Sequence, residues 1–222
     1  MLQLKNIKKS FKGVEVLKGI SISFESPGLY GVVGPNGAGK TTLMKCILNL
    51  IDCEGDVIFG RKNYRESISH LPEIITTYPY LTGEEVIDLL ISIQEKDRDR
   101  VWSNVELLAK DLNYIDFKKL ILQHSKGNLR KLFLIYALSV ESEYIFLDEP
   151  FAGLDPISVE LVKKTLVYHK STSLIILNTH FFDSAKEICD RIYFLKSGNI
   201  LKVAERDEIK DVDIVRLYGK GK

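Results

Sequence analysis

Gly34, Gly39, Lys40 and Thr41 stand at a spacing that suits one kind of chemistry, the gripping of a chain of phosphates. The stretch Gly34-Pro35-Asn36-Gly37-Ala38-Gly39-Lys40-Thr41-Thr42 fits the pattern Gly, four residues, Gly-Lys-Thr. Glycines let the backbone curl until successive N–H groups point at one oxyanion cluster. Lys40 adds a point charge between the outer phosphates, and the Thr41 hydroxyl suits a magnesium ion (Mg2+). Lys40 and Thr41 also open a predicted helix, whose N-terminal dipole favours the same anion.

A second constellation lies far along the chain. Tyr144-Ile145-Phe146-Leu147-Asp148-Glu149 reads as an apolar strand ending in two carboxylates. A strand buried on both faces delivers side chains at its C-terminal end, where α/β sheets bind ligands. There Asp148 can hold magnesium through water, and Glu149 can polarise a water that attacks a terminal phosphate. Taken alone, the pair also reads as an acidic turn or helix cap near Pro150.

The elements that must position these groups follow from pattern. Leu29 to Val33 is a short buried strand before the glycine loop, and Leu43 to Leu50 carries helical apolar spacing after it. This is the strand, loop and helix order that a phosphate loop requires. Leu2 to Ile7, Val14 to Leu17, Ile20 to Phe24 and Val57 to Phe59 read as further strands. From Thr82 to about Leu138 the pattern is helical, with Val86, Leu89, Leu90 and Ile93 on one face and Val101, Val105, Leu107 and Leu108 continuing it. Strands return at Tyr144 to Leu147, Ser173 to Leu177 and Ile192 to Leu195, alternating with helices at Val159 to Val167 and Asp183 to Cys189. That alternation predicts an α/β fold with a parallel sheet. Gly219 to Lys222 reads as a frayed tail.

Composition narrows the class. The 222 residues carry 45% hydrophobic side chains, enough for a full core, and 31 basic against 30 acidic residues. A net charge of +1 gives no field directed at nucleic acid. Cys46, Cys53 and Cys189 form no CxxC pair and suit a reduced, cytosolic chain. Cys46, on the helix after the glycine loop, reads as packed rather than reactive. No apolar run approaches the ~18 residues of a membrane span, and the N-terminus lacks the apolar segment of a secretion signal.

Several motifs in a fixed order resemble those of the nucleotide-binding subunit of ATP-binding cassette (ABC) transporters, over nearly the whole chain. After the phosphate loop, Leu71-Pro72-Glu73 stands where that family has its Q-loop. His124-Ser125-Lys126-Gly127-Asn128 aligns with the signature LSGGQ. Asp148 and Glu149 match the Walker B pair, Ala152-Gly153-Leu154-Asp155 the D-loop, and His180 the switch histidine. Phe11 aligns with the aromatic that stacks on adenine, and Val16 lies where the family packs beside it.

The resemblance implies a RecA-like P-loop core with a parallel sheet, an N-terminal antiparallel β-layer and a helical subdomain. It implies one ABC ATPase domain over 1–222, with the core at 1–81 and 140–222, the helical part at 82–139 and no length left for a regulatory C-terminal domain. ATP and Mg2+ are the implied ligands. Lys40, Glu149 and His180 are catalytic by this reading. Phe11, Val16, Gly34 to Thr42, Glu73, Ser125 and Gly127 bind ATP, and Thr41, Glu73 and Asp148 face the metal. Ser125 and Gly127 would serve the nucleotide of a second subunit, in a homodimer or a heterodimer. Integral membrane permease subunits would hold the pair on the inner face of the cell membrane and choose the cargo, and no nucleic acid is expected.

The chain departs from the family pattern in places. In the signature only Ser125 and Gly127 match, with His124, Lys126 and Asn128 substituted. Lys126 stands near the second subunit's nucleotide or is simply solvated. The Ser-Lys-Gly core resembles that of some exporters, which favours export. Glu73 replaces a Gln and brings an extra negative charge near the phosphates. His70, His124 and His169 read as structural. Two other readings remain: a soluble ABC-type ATPase acting as an assembly or docking factor, and a subunit that binds nucleotide without turnover. Lys40→Ala is expected to abolish ATP binding in calorimetry; unchanged affinity would remove Lys40 from the phosphate site.

Overall fold

Alternating side chains of one buried sheet divide the interior into two cores. In the computed structural model, which describes residues 1–61, 63–76 and 78–219, this sheet has six strands. They are β3 (Gly28–Val33), β5 (Ile68–Leu71), β6 (Tyr144–Asp148), β7 (Leu174–Thr179), β8 (Arg191–Lys196) and β9 (Asn199–Glu205), in the order β5-β6-β7-β3-β8-β9. The first five run parallel and β9 pairs antiparallel with β8. Leu29, Val33, Ile145, Leu147, Ile175 and Leu177 face one core. Tyr30, Val32, Tyr144, Phe146, Leu174 and Ile176 face the other. Both faces are covered, so β3, β6 and β7 are buried at every residue, the reason they read as unbroken apolar runs.

The first core is closed by helices. These include α2 (Gly83–Ile93), α3 (Arg98–Asp111) and α4 (Lys126–Ser139), followed by α5 (Pro156–His169) and α6 (Phe182–Ile188). The second is closed by α1 (Lys40–Ile47) and by a separate antiparallel sheet. That sheet holds β1 (Leu2–Phe11), β2 (Val14–Phe24) and β4 (Glu54–Phe59), in the order β2-β1-β4. Two short helices, α7 (Arg206–Ile209) and α8 (Ile214–Tyr218), follow β9, and the Tyr218 hydroxyl donates to the Val33 carbonyl at 2.8 Å.

Several local expectations change. Val14 to Leu17 and Ile20 to Phe24 are one strand, because the β1–β2 ladder absorbs register shifts opposite Gly19. The helix after the glycine loop ends at Ile47, where Asn49 at φ 54° turns the chain out of it. The signature helix starts at Lys126, because the Ser125 hydroxyl caps it by accepting from the Asn128 N–H at 3.1 Å. Strands β5 and β9 lie at the sheet edges, where a half-exposed run gives a weak apolar signal. Of the expected frayed tail, Gly219 caps α8 and residues 220–222 lie outside the described residues.

The apolar face of α2 is also rotated. Thr82 and Glu85 form a reciprocal cap, with the Glu85 N–H donating to Thr82 Oγ1 at 3.2 Å and the Thr82 N–H to Glu85 Oε2 at 2.7 Å. This cap sets Val86, Ile87 and Ile91 inward, whereas Ile93 is 68% exposed. On α3, Val101, Val105 and Leu108 are buried and Leu107 points outward. Ile91→Ala should therefore lower unfolding free energy by roughly 2–5 kcal/mol. Ile93→Ala should stay within about 0.5 kcal/mol of wild type. Urea titration reads both, and equal effects would contradict this packing.

Candidate functional site

The glycine loop leaves β3, the strand between β7 and β8, at the C-terminal edge of the parallel sheet. Gly37 and Gly39 take φ of 77° and 107°, so the loop curls instead of extending. Neighbouring elements pin it. The Gly198 N–H donates to the Ala38 carbonyl at 3.1 Å, and a Cβ on Gly39 would meet the Val16 carbonyl at 3.2 Å. Inside the curl lies the Lys40 ammonium, which donates to the Gly34 and Pro35 carbonyls at 2.8 and 3.2 Å. It is 6% exposed and stands 3.8 Å from Glu149 Oε1. A buried cation and the start of α1 thus share one point, where an anion gains most.

The two carboxylates stand together at the end of β6, two strands away from β3. Asp148 ends β6 and is 2% exposed. Its Oδ1 accepts from Asn178 Nδ2 at 3.3 Å, and the same amide donates to the Lys40 carbonyl at 3.0 Å. Burial raises the Asp148 carboxyl above the usual carboxylate range, against hydrogen bonds from Thr41 and Asn178. Glu149 follows with φ 51°, a left-handed backbone that side chains other than glycine rarely adopt. Its N–H donates to the Asn178 carbonyl at 2.9 Å. Its Oε2 accepts from Thr179 Oγ1 at 3.0 Å, and its Oε1 from the His180 N–H at 3.1 Å. His180 Nδ1 lies 2.9 Å from the same oxygen. Lys40, Glu149 and His180 are thereby one hydrogen-bonded and ion-paired group.

Glu73 joins from the end of β5, with its Oε2 accepting from Thr41 Oγ1 at 3.2 Å. Among the described residues no three His, Cys, Asp or Glu side chains could hold a metal by themselves. The oxygens that do converge belong to Thr41, Glu73 and Asp148, a donor set that suits a hard ion such as Mg2+ when phosphate and water oxygens complete it.

Three residues of this network escape a reading of motifs. Asn178 and Thr179 are polar positions at the end of an apolar strand, a signal that could have marked them. Arg130, a buried cation next to the likewise buried Lys131 in α4, has no such signal. It is 7% exposed, and it donates to the Pro72 and Glu73 carbonyls at 2.8 and 2.6 Å and to the Asp148 carbonyl at 3.2 Å.

The remaining sequence candidates lie outside this hydrogen-bonded network. Phe11 is 46% exposed at the tip of the β1–β2 hairpin, paired with Val14, and Val16 lies beside Gly39. Ser125 and Gly127 have their contacts elsewhere than the glycine loop. Ser125 caps α4, and a Cβ on Gly127 would meet the Gly153 carbonyl at 2.7 Å, so glycine here lets the D-loop pack on its own chain. Two signature departures also have local partners. His124 Nε2 lies 2.8 Å from the Tyr114 hydroxyl and its Nδ1 lies 3.0 Å from the Leu120 carbonyl. Asn128 Nδ2 donates to Asp116 Oδ2 at 2.6 Å. His70 and His169 are both depressed by burial, His70 to about 4, as packed imidazoles are.

A curled, cation-filled loop, a carboxylate pair at the end of β6 and a histidine closing the group define a P-loop NTPase site on an α/β sheet. The family comparison agrees with that geometry. A family model described as ABC transporter matches residues 17–152, more than half of the chain. The ATP-binding protein TupC of a tungstate uptake system from Peptoclostridium acidaminophilum is 33% identical, over 90% of this chain and 96% of its own. The ATP-binding protein LptB of the lipopolysaccharide export system of Haemophilus influenzae is 26% identical, over 98% and 96%. The dimeric ABC transporter cassette MJ0796 shares the fold, with a TM-score of 0.84 at 21% identity over 93% of this chain and 99% of that one. This chain belongs to the ABC transporter family, as a nucleotide-binding ATPase subunit.

Asp148→Asn should raise the Tm of the chain without nucleotide at neutral pH while removing Mg2+-dependent ATP hydrolysis. Burial raises the carboxyl's pKa in the fold, so the ionised form costs stability above that pKa and the neutral form does not. The Tm gain should therefore shrink as pH falls. A lower Tm at neutral pH in calorimetry would contradict this.

Proposed function

We propose that this chain hydrolyses ATP at the Lys40–Glu149–His180 group and powers a membrane permease by closing on a second ATPase subunit. The observation that carries the reading is the convergence of Lys40, Glu149 and His180 at the curled loop. On binding, the phosphates would replace the Gly34 and Pro35 carbonyls as acceptors for Lys40, and the loop N–H groups would meet the same oxygens. Thr41, Glu73 and Asp148 would hold Mg2+, which supplies charge stabilisation to the outer phosphates. Glu149 would orient and polarise the attacking water, and His180 would fix the Glu149 carboxylate and the terminal phosphate. Phe11 would stack on the adenine, and Val16 would pack beside it. Catalysis is then mostly positioning and fixed charge.

The site is half of a whole. Ser125 and Gly127 lie at the N-terminal end of α4, with their contacts at Asn128 and Gly153, and that helix end would suit an anion supplied by a second subunit. ATP would therefore drive a head-to-tail dimer, and its hydrolysis would release it. Among the described residues no helix is long and apolar enough to cross a membrane, so the path for cargo would belong to separate permease subunits at the inner face of the membrane. Export is the direction we attach to the Ser125-Lys126-Gly127 core; the similar proteins include an uptake system and an export system. The complete Lys40, Glu149 and His180 set favours turnover over a subunit that only binds nucleotide.

Glu149→Gln should lower the hydrolysis rate by about 10²-fold or more while ATP is still bound. The variant should elute as an ATP-dependent dimer on gel filtration. Wild-type turnover in this variant would remove Glu149 as the catalytic carboxylate. Extraction in detergent with a multi-span protein supports the permease partner, and a soluble partner would support the docking-factor reading.

A further inference from the structure

Three backbone carbonyls from two site segments converge on one guanidinium. Arg130 Nη1 donates to the Pro72 carbonyl at 2.8 Å and the Asp148 carbonyl at 3.2 Å, and Nη2 donates to the Glu73 carbonyl at 2.6 Å. Pro72 and Glu73 leave β5, and Asp148 ends β6. Each segment also reaches the phosphate loop. The Glu73 carboxylate accepts from the Thr41 hydroxyl at 3.2 Å, and Asn178 joins Asp148 to the Lys40 carbonyl. A buried cation costs desolvation, and that cost is offset only when its donors are met. Here the planar fork of arginine supplies donors in a fixed relative geometry, so it fixes the spacing between the two segments as well as holding them. The guanidinium also lies in the field of Asp148, Glu73 and Glu149, and offsets the extra charge that Glu73 brings in place of a neutral Gln.

Arg130 belongs to the same rigid helix as Ser125 and Gly127. Residues 125–130 fall within the cap and first turns of α4, so a shift of its N-terminus moves the guanidinium with it. We propose that Arg130 is a positioning residue, a strut that ties the placement of Ser125 and Gly127 to the placement of Glu73 and Asp148. Contact of the α4 N-terminus with a second subunit's nucleotide is then felt at this subunit's own metal-side carboxylates, through hydrogen bonds and one helix. The inference rests on the ATPase reading above and adds to it a route of communication between the two halves of a composite site.

Arg130→Lys keeps the charge but replaces the fork with a single ammonium, which cannot meet the three carbonyls in the same geometry. The full-length variant should bind ATP like wild type in calorimetry, and its KM for ATP should hold. Its kcat should fall on the order of tenfold to a hundredfold, with a higher Mg2+ concentration needed for half-maximal rate. In a double-mutant cycle with Glu73→Gln the two changes should be non-additive. Unchanged kcat would overturn the strut, and so would an equal cost of Arg130→Lys with and without the Glu73→Gln change. A matching loss of Tm, ATP affinity and kcat would overturn it too, as the mark of general scaffolding.

Should Arg130→Lys fail to fold, hydrogen exchange on Glu149→Gln with and without ATP gives the same decision. Amides at 73–75 and 126–130 should gain protection together on closure, and protection of one segment alone would overturn the strut. A wild-type chain that neither binds nor hydrolyses ATP would sink the ATPase reading and the strut with it. Wild-type turnover with an unaltered Arg130→Lys would sink the strut alone.

Discussion

Parallel pairing of β6, β7 and β3 is the constraint on which the rest depends. The ladder places Val33 opposite Thr179 and Asp148 opposite Asn178. The chain leaves all three strands at one edge, so Gly34, Glu149 and His180 emerge side by side although they lie far apart in sequence. A slip of one residue in any of these pairings would turn Asp148 or Asn178 to the opposite face. Burial on both faces resists such slips, because each would exchange the side chains of the two cores. The site's precision is therefore a by-product of how the sheet buries its apolar surface.

Charge is gathered at that edge in a balance that buried groups require. Lys40 and Arg130, both nearly inaccessible, stand among Asp148, Glu149 and Glu73. The two cations differ in what they hold. Lys40 meets loop carbonyls that a phosphate can replace, so its partners are exchangeable. Arg130 meets the Pro72, Glu73 and Asp148 carbonyls, which belong to the backbone that leaves β5 and ends β6. Asp148 bears an upward pKa shift from burial, and Glu149 a left-handed backbone, costs of the kind that functional sites concentrate.

The N-terminal end of α4 obeys a different logic. Its substituted signature positions are used inside the chain, His124 with Tyr114 and Asn128 with Asp116. These bonds organise the loop before α4 and leave Lys126 exposed. Gly127 is required by the D-loop carbonyl of Gly153 whatever it does for a second subunit. One glycine thus serves local packing in this chain and would also admit close approach by a partner. His124 and Asn128 read as disruptive in a string of letters, yet in three dimensions they are satisfied hydrogen-bonding positions.

Groups whose geometry is local were legible from residue type and short-range spacing. The curl of Gly34 to Thr42, the start of α1 at Lys40 and the carboxylates at the end of Tyr144 to Asp148 are of this kind, because loop dihedrals and strand burial are set within a few residues. The α/β class followed from the same alternation. Long-range packing settled what the letters left open. It chose Ile91 over Ile93 as the buried side of α2, since a cap and a neighbouring surface set the helix rotation. It placed the edge strands β5 and β9, whose pairing energy lies in their neighbours rather than in their own residues. It also brought Arg130 to Pro72, Glu73 and Asp148, because hydrogen bonds to backbone carbonyls leave no mark on the identity of the residues that accept them.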